Sequence, residues 1–190
     1  MAGAVEAMSL EGERYSRIAM WFHWVLAALI VANLAVGFFH EDFSKPVRGS
    51  LMGFHKATGL AILALSFGRL AWRLGHRPPP FDPALQRWEV TIAKAAHWLF
   101  YVLMIVIPIS GWLMVSGSGR ATSFFGLFNV PALPISDSHD THELLEEVHE
   151  LLGWAILVLI VLHVLGAAKH HLQGHRHLIG RMGPWLYRRR

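Results

Sequence analysis

The chain has 190 residues, enough for one domain, and 54% of them are hydrophobic while only 16% are charged, against about 25% charged in an ordinary soluble domain. That balance, with the apolar residues gathered in blocks, argues against a water-soluble globule and for lipid as the surrounding medium. There is no cysteine, which excludes disulfides, iron–sulfur clusters, thiolate zinc sites and a covalently attached C-x-x-C-H haem. The formal charge of +4 sits beside the apolar blocks and forms no basic domain, so nucleic acid is not an expected partner.

The first predicted span covers residues 18–39 and contains no Asp, Glu, Lys or Arg. Arg14 and Arg17 precede it in the manner of a signal peptide, but the run is longer than the about 7–15 residues of a signal core and no convincing cleavage site follows, so a membrane span is expected. The second span, residues 51–72, carries Lys56 and Arg69. Each is long enough to cross about 30 Å of hydrocarbon at about 1.5 Å per residue. Pro78, Pro79, Pro80 and Pro83 then mark a stiff linker. The third span, residues 92–115, contains Pro108 and Gly111 and is expected to be kinked, not broken. The longest connection follows, with Pro131 and Pro134, and ends in His139, Asp140, Thr141, His142 and Glu143, where Asp140 or Thr141 is expected to cap a helix that begins before the membrane. The fourth span is residues 148–169. Eight tryptophans suit the aromatic belts at the two interfaces. The fold class is therefore all-α, an integral membrane four-helix bundle forming a single domain over residues 1–190.

Orientation follows from the Lys and Arg residues. Thirteen flank one side: Arg14, Arg17, Arg69, Arg73, Arg77, Arg87, Lys94, Lys169, Arg176, Arg181, Arg188, Arg189 and Arg190. Four flank the other: Lys45, Arg48, Lys56 and Arg120. The positive-inside rule then puts both termini in the cytoplasm.

Five of the thirteen histidines fall in or at the edge of these spans: His23, His55, His97, His149 and His163. An ionisable side chain at that depth is costly and points to function, with an interhelical hydrogen bond as the plain alternative for any one of them. Antiparallel spans put His55 and His149 near the outer side and His23 and His163 near the cytoplasmic side. On the fourth span His149 and His163 are separated by about 21 Å along the axis and lie within about 40° of one face. Two imidazoles from facing helices can supply both axial ligands of a haem iron, which suits electron transfer, whereas zinc would ask for a tighter cluster. The pairs expected by depth are His55 with His149 and His23 with His163. His97 lies at the depth of His23, so depth alone leaves open which of the two faces His163; its other role is a hydrogen bond to a haem propionate, a carbonyl or a quinone oxygen. Arg48 and Lys56 outside, and Arg14, Arg17, Arg69 and Arg73 inside, are candidate propionate partners. The tail histidines His170, His171, His175 and His177 read as a solvated surface in preference to a metal site.

Arg14-Tyr15-Ser16-Arg17 with Trp21-Phe22-His23-Trp24, Phe54-His55-Lys56-Ala57-Thr58-Gly59, Ala96-His97-Trp98, Pro108-Ile109-Ser110-Gly111-Trp112, Val148-His149-Glu150 and His163 with Lys169-His170-His171 occur in this order. As a set they resemble the bacterial cytochrome b561 family, from about residue 13 to about residue 183. The resemblance implies two b-type haems in an inner-membrane bundle, with ubiquinone as the electron acceptor and periplasmic superoxide as the donor in the best-known members. It also selects His23, His55, His149 and His163 as axial ligands and leaves His97 outside that set. The function expected is di-haem electron transfer between an outer-side donor and the quinone pool, with Arg48 and Lys56 attracting the donor if it is an anion. A membrane-anchor subunit serving a soluble dehydrogenase or hydrogenase is the alternative, and a histidine-lined metal path is disfavoured by the ligand-free turns between His149 and His163. Expected partners are membrane lipid, a quinone, a redox protein under the anchor reading, and a second copy of the chain.

Overall fold

The computed structural model describes residues 14–83, 85–135, 138–174 and 176–183 of the chain. The side chains of Arg176 and His177 and all of His175 and residues 188–190, which entered the orientation and tail arguments above, lie outside the described residues. Four long helices carry the fold: α1 (Arg17–Phe39), α2 (Lys45–Gly75), α3 (Arg87–Ser116) and α4 (His139–Leu172). All four are long and apolar enough to cross a membrane. The short elements are a 3₁₀ turn (His40–Asp42), a two-stranded ribbon of β1 (Thr122–Phe124) and β2 (Phe128–Val130), and α5 (Arg176–Gly180).

Local chemistry explains where the helices start. Ser16 caps α1 by accepting from the Ala19 amide, Pro46 fits the first turn of α2, and Gln86 and Glu89 form a reciprocal capping box on α3. α4 begins nine residues before its predicted span. Its cap is Ser138, whose hydroxyl accepts from the Thr141 amide at 3.2 Å, so the expectation of Asp140 or Thr141 as the cap is corrected. Both lie inside the first turn, where Asp140 complements the positive end of the helix dipole. α3 runs through Pro108 without interruption.

The ribbon interrupts an otherwise helical chain. Thr122 pairs with Val130 and Phe124 with Phe128 in antiparallel register. Phe125 and Gly126 turn the chain with φ of 50° and 77°, a left-handed pair that costs glycine little and a phenylalanine more. Phe125 is held there by ring contacts with Phe124 at 5.0 Å and with Phe54 of α2 at 6.1 Å.

Packing is sequential: α2 lies against α1, α3 against α2 and α4 against α3, while α1 and α4 approach through side chains such as Phe38 and Trp154, whose rings are 4.6 Å apart. Successive helices therefore run in opposite directions, which defines a ribbon end and an end carrying the described N- and C-terminal residues, the termini end. At the termini end Trp24 Nε1 donates to the Met182 carbonyl at 2.8 Å, the Tyr15 amide to the Arg181 carbonyl at 3.3 Å, and Arg181 reaches the Pro80 carbonyl at 2.6 Å. The buried core is Leu26 and Ile30 of α1, Ile62 of α2, Tyr101, Leu103 and Met104 of α3, and Ile156 and Leu159 of α4. Large apolar residues such as Val31, Phe67, Val102 and Leu162 are exposed, as expected of surfaces that meet acyl chains and not water.

Candidate functional site

The core residues occupy the middle turns of each helix, and the five span histidines lie on either side of them. At the ribbon end, α2 and α4 bring His55 and His149 together with ring centres 6.1 Å apart. At the termini end, α1 and α4 bring His23 and His163 to 6.3 Å. A metal–imidazole bond of about 2 Å, and about 1 Å from nitrogen to ring centre, separate two imidazoles on opposite sides of one ion by about 6 Å. Both pairs have that spacing. His97 of α3 also stands 6.2 Å from His163, so spacing by itself admits two partners for His163.

The ribbon-end rings are tightly held. His55 Nδ1 donates to the Asn33 carbonyl at 3.1 Å, and His149 Nδ1 lies 2.9 Å from the Ser110 hydroxyl. A Cβ on Gly37 would stand 3.3 Å from His55 Cε1, and one on Gly111 3.0 Å from His149 Cε1. These two glycines are where the helices make room for the rings. At the termini end, the Arg69 guanidinium lies 3.5 Å from His23 Nδ1 and 5.6 Å from the centre of the Tyr101 ring, and Phe100 meets His163 edge-on at 5.4 Å.

Other predicted site residues are dispersed. Arg48, in the first turn of α2, donates to the Glu41 carbonyl of the 3₁₀ turn at 2.8 Å. Lys56 lines a cavity of about 690 Å³ at the ribbon end, together with Phe54, Met114, Arg120 and His142. Arg17 is the first residue of α1, at the termini end. His97 and Arg73 line a second cavity, of about 350 Å³, with Tyr15, Trp98 and Tyr101. Sequence reasoning missed Asn33, Gly37 and Ser110, which act on the histidines from other helices; only Gly111 and Ser110 lay inside a segment singled out beforehand.

Among the described residues no group of three or more His, Asp or Glu side chains is placed to hold a metal ion. The donor set is thus His55 facing His149 at one depth and His163 facing both His23 and His97 at the other, with glycines of neighbouring helices beside the ribbon-end rings. These features fit a haem iron bound on both faces and do not fit a zinc centre. Such a bundle has the architecture of a membrane cytochrome that binds haem without a covalent bond.

The chain belongs to the prokaryotic cytochrome b561 family, whose family model matches residues 14–185. It is 31% identical to cytochrome b561 homolog 2 of Escherichia coli over 84% of this chain and 85% of that protein. It is 26% identical to a probable superoxide oxidase, CybB, of Yersinia pestis over 90% of this chain and 97% of that protein. It is also 24% identical to a probable Ni/Fe-hydrogenase B-type cytochrome subunit of Rhodobacter capsulatus, over 87% of this chain and 76% of that subunit. The protein is therefore a multi-pass component of the bacterial inner membrane, with b-type haem and a role in membrane electron transfer.

Proposed function

We propose that the chain binds two haems, one between His55 and His149 and one between His23 and His163, and passes electrons from a donor outside the membrane to the quinone pool. The observation that carries this reading is the pair of facing imidazole sets at 6.1 Å and 6.3 Å, one at each end of the bundle. Haem held at each position by the two histidines would supply a one-electron carrier. The chain's own part is to fix those imidazoles. A carbonyl oxygen only accepts, so the bond from His55 to Asn33 keeps the proton on Nδ1 and leaves Nε2 as a free donor to metal. Leu26, Ile30, Leu103, Met104, Ile156 and Leu159 fill the space between the two histidine layers. Thr58 and Ser66 of α2 are buried polar groups in this region, but two hydroxyls separated by Ile62 and Leu63 make no continuous polar line, which speaks against a transport path.

The ribbon end faces outward in this reading and the termini end faces the cytoplasm, as the Lys and Arg distribution suggests. Quinone is read at the termini end, where His97, Tyr15 and Tyr101 offer hydrogen-bond donors in one cavity, while His97 stays outside the ligand set. The likeness to a probable superoxide oxidase supports superoxide as the donor. The likeness to a hydrogenase cytochrome subunit supports the second reading, an anchor that receives electrons from a soluble enzyme; co-purification of such a subunit with the chain would favour it, and turnover by the chain alone would oppose it.

The deciding experiment is a reduced-minus-oxidised optical spectrum with haem quantitation on detergent-purified protein and on His55→Ala and His163→Ala. Two b haems per chain, with each substitution removing a different one, is the expected result. A chain without haem, or a single haem lost in both variants, would overturn the assignment.

A further inference from the structure

The two ends of the bundle treat the outer ring nitrogens of their histidines in opposite ways. At the ribbon end both Nδ1 atoms are donors to neutral acceptors. His55 donates to the Asn33 carbonyl directly. His149 does so through a hydroxyl: Ser110 Oγ lies 2.8 Å from the Ile107 carbonyl and 2.9 Å from His149 Nδ1. Ser110 has one proton, and the carbonyl can only accept, so that proton goes to Ile107 and Oγ accepts from the Nδ1–H of His149. Ser110 is 5% exposed, and water does not compete for either bond. At the termini end the group facing His23 Nδ1 is a guanidinium, at 3.5 Å. That distance is at the limit of a hydrogen bond, so what Arg69 chiefly supplies is positive charge in a medium of low dielectric.

These differences act on an electron in the same direction. A ring whose Nδ1 proton is drawn toward an acceptor is more basic at Nε2, and a more basic ligand favours the oxidised metal. A fixed cation beside a site favours the state that has gained an electron. We infer that Ser110 and Arg69 set the direction of flow: Ser110, with the Asn33 carbonyl, makes the ribbon-end site the weaker holder of its electron, and Arg69 makes the termini-end site the stronger. An electron at the ribbon-end site would then be passed to the termini-end site, the first being oxidised and the second reduced, with the Nδ1 protons of His55 and His149 staying on their rings. The inference rests on the two ligand pairs proposed above. Ser110 and Arg69 are positioning residues in it and bind no metal.

The test uses the full-length protein with its haems in place, and reads the midpoint potential of each haem in wild type, Ser110→Ala, Ser110→Thr and Arg69→Gln. The two haems are told apart by the spectra that remain in His149→Ala and His163→Ala. In wild type the ribbon-end potential is expected to be the lower. Ser110→Ala should raise it so that the reduced-to-oxidised ratio at a fixed ambient potential grows about tenfold, a shift of about 59 mV for one electron, with the other haem unmoved. Ser110→Thr, which keeps a hydroxyl, should restore the wild-type value. Arg69→Gln should lower the termini-end potential and leave the ribbon-end one alone.

The reverse order of potentials in wild type would overturn the inference. So would a Ser110→Ala protein with two haems and no shift, since a merely structural serine would change stability and not potential. If Ser110→Ala fails to fold, an unchanged termini-end potential in Arg69→Gln overturns it independently. Loss of the ligand reading itself would look different: His149→Ala or His163→Ala would retain both haems.

Discussion

The ribbon end and the termini end hold imidazole pairs at nearly the same separation, 6.1 Å and 6.3 Å, but they are built differently around them. At the ribbon end two histidines are locked by two Nδ1 bonds and by two helices whose glycines let the rings approach closely, and the cavity of about 690 Å³ at that end is lined by Phe54, Lys56 and Arg120 and by neither ring. At the termini end three histidines share the layer, the polar neighbour is a cation, and a cavity of about 350 Å³ opens beside His97 under the proline linker. The first arrangement suits a group that stays in place and exchanges only electrons. The second leaves room for a further molecule beside His97, in a cavity that Tyr15 and Tyr101 also line.

The comparison is broken most directly by removing the histidines one at a time. His23→Ala is expected to abolish the termini-end haem, because the proposed pairing makes His23 one of its two ligands. His97→Ala is expected to keep both haems in the spectrum while raising the KM for quinone, since its ring lines the cavity. Haem counts per chain in the two variants check this. If His97→Ala loses a haem and His23→Ala does not, His163 pairs with α3 and the assignment at that end is reversed.

A smaller effect sharpens the ribbon end. A Cβ at Gly111 would stand 3.0 Å from the His149 ring, and one at Gly37 3.3 Å from the His55 ring. Replacing a helical glycine by alanine gains up to about 1 kcal/mol in helix propensity, whereas overpacking costs about 1–3 kcal/mol. Gly111→Ala should therefore lower thermal stability and the content of the ribbon-end haem, while Gly37→Ala should be nearly neutral. Thermal denaturation followed at the haem absorption measures both. Equal behaviour of the two variants would mean that the ribbon-end rings are not held as tightly as their contacts indicate.

Much of this was legible in the sequence, because a membrane imposes long apolar runs and makes each intramembrane histidine conspicuous. The depth of His149 and His163 followed from helical rise alone. What holds those rings was not legible. Ser110 lies 39 residues from His149 and Asn33 lies 22 from His55, and the acceptor at Asn33 is a backbone carbonyl, which every residue possesses. A start of α4 before the membrane was expected and is found, but its cap was misplaced by two or three residues, because Ser138, Asp140 and Thr141 are all cap-type residues and sequence alone does not choose among them. The ribbon was missed for a related reason: its strands are three residues each, too short for an alternating pattern, and only Gly126 marked the turn.

The smallest effect concerns how the termini end is closed. Glu89 sits at the start of α3, before the apolar run, and does two things. Its carboxylate accepts from the Gln86 amide at 3.1 Å, which caps the helix, and it accepts from Lys169 Nζ of α4 at 2.8 Å, with His170 Nε2 at 3.9 Å. Lys169 in turn lies 5.3 Å from the centre of the Trp88 ring. The bond from Lys169 first, and the bond from the Gln86 amide next, hold the Glu89 carboxyl below its ordinary value of 4.5. A carboxyl whose folded pKa is depressed contributes stability that is present above its unfolded pKa and is lost as the pH falls through the folded one. Glu89→Gln keeps the size and an oxygen for the cap but removes the charge that Lys169 pairs with. The variant should melt slightly below wild type at neutral pH, and the gap should close as the pH drops below about 4.5. A gap that stays constant across that range would mean that Glu89 joins α3 to α4 by shape alone, and a gap that shrinks with added salt at neutral pH would identify the pair with Lys169 as its source.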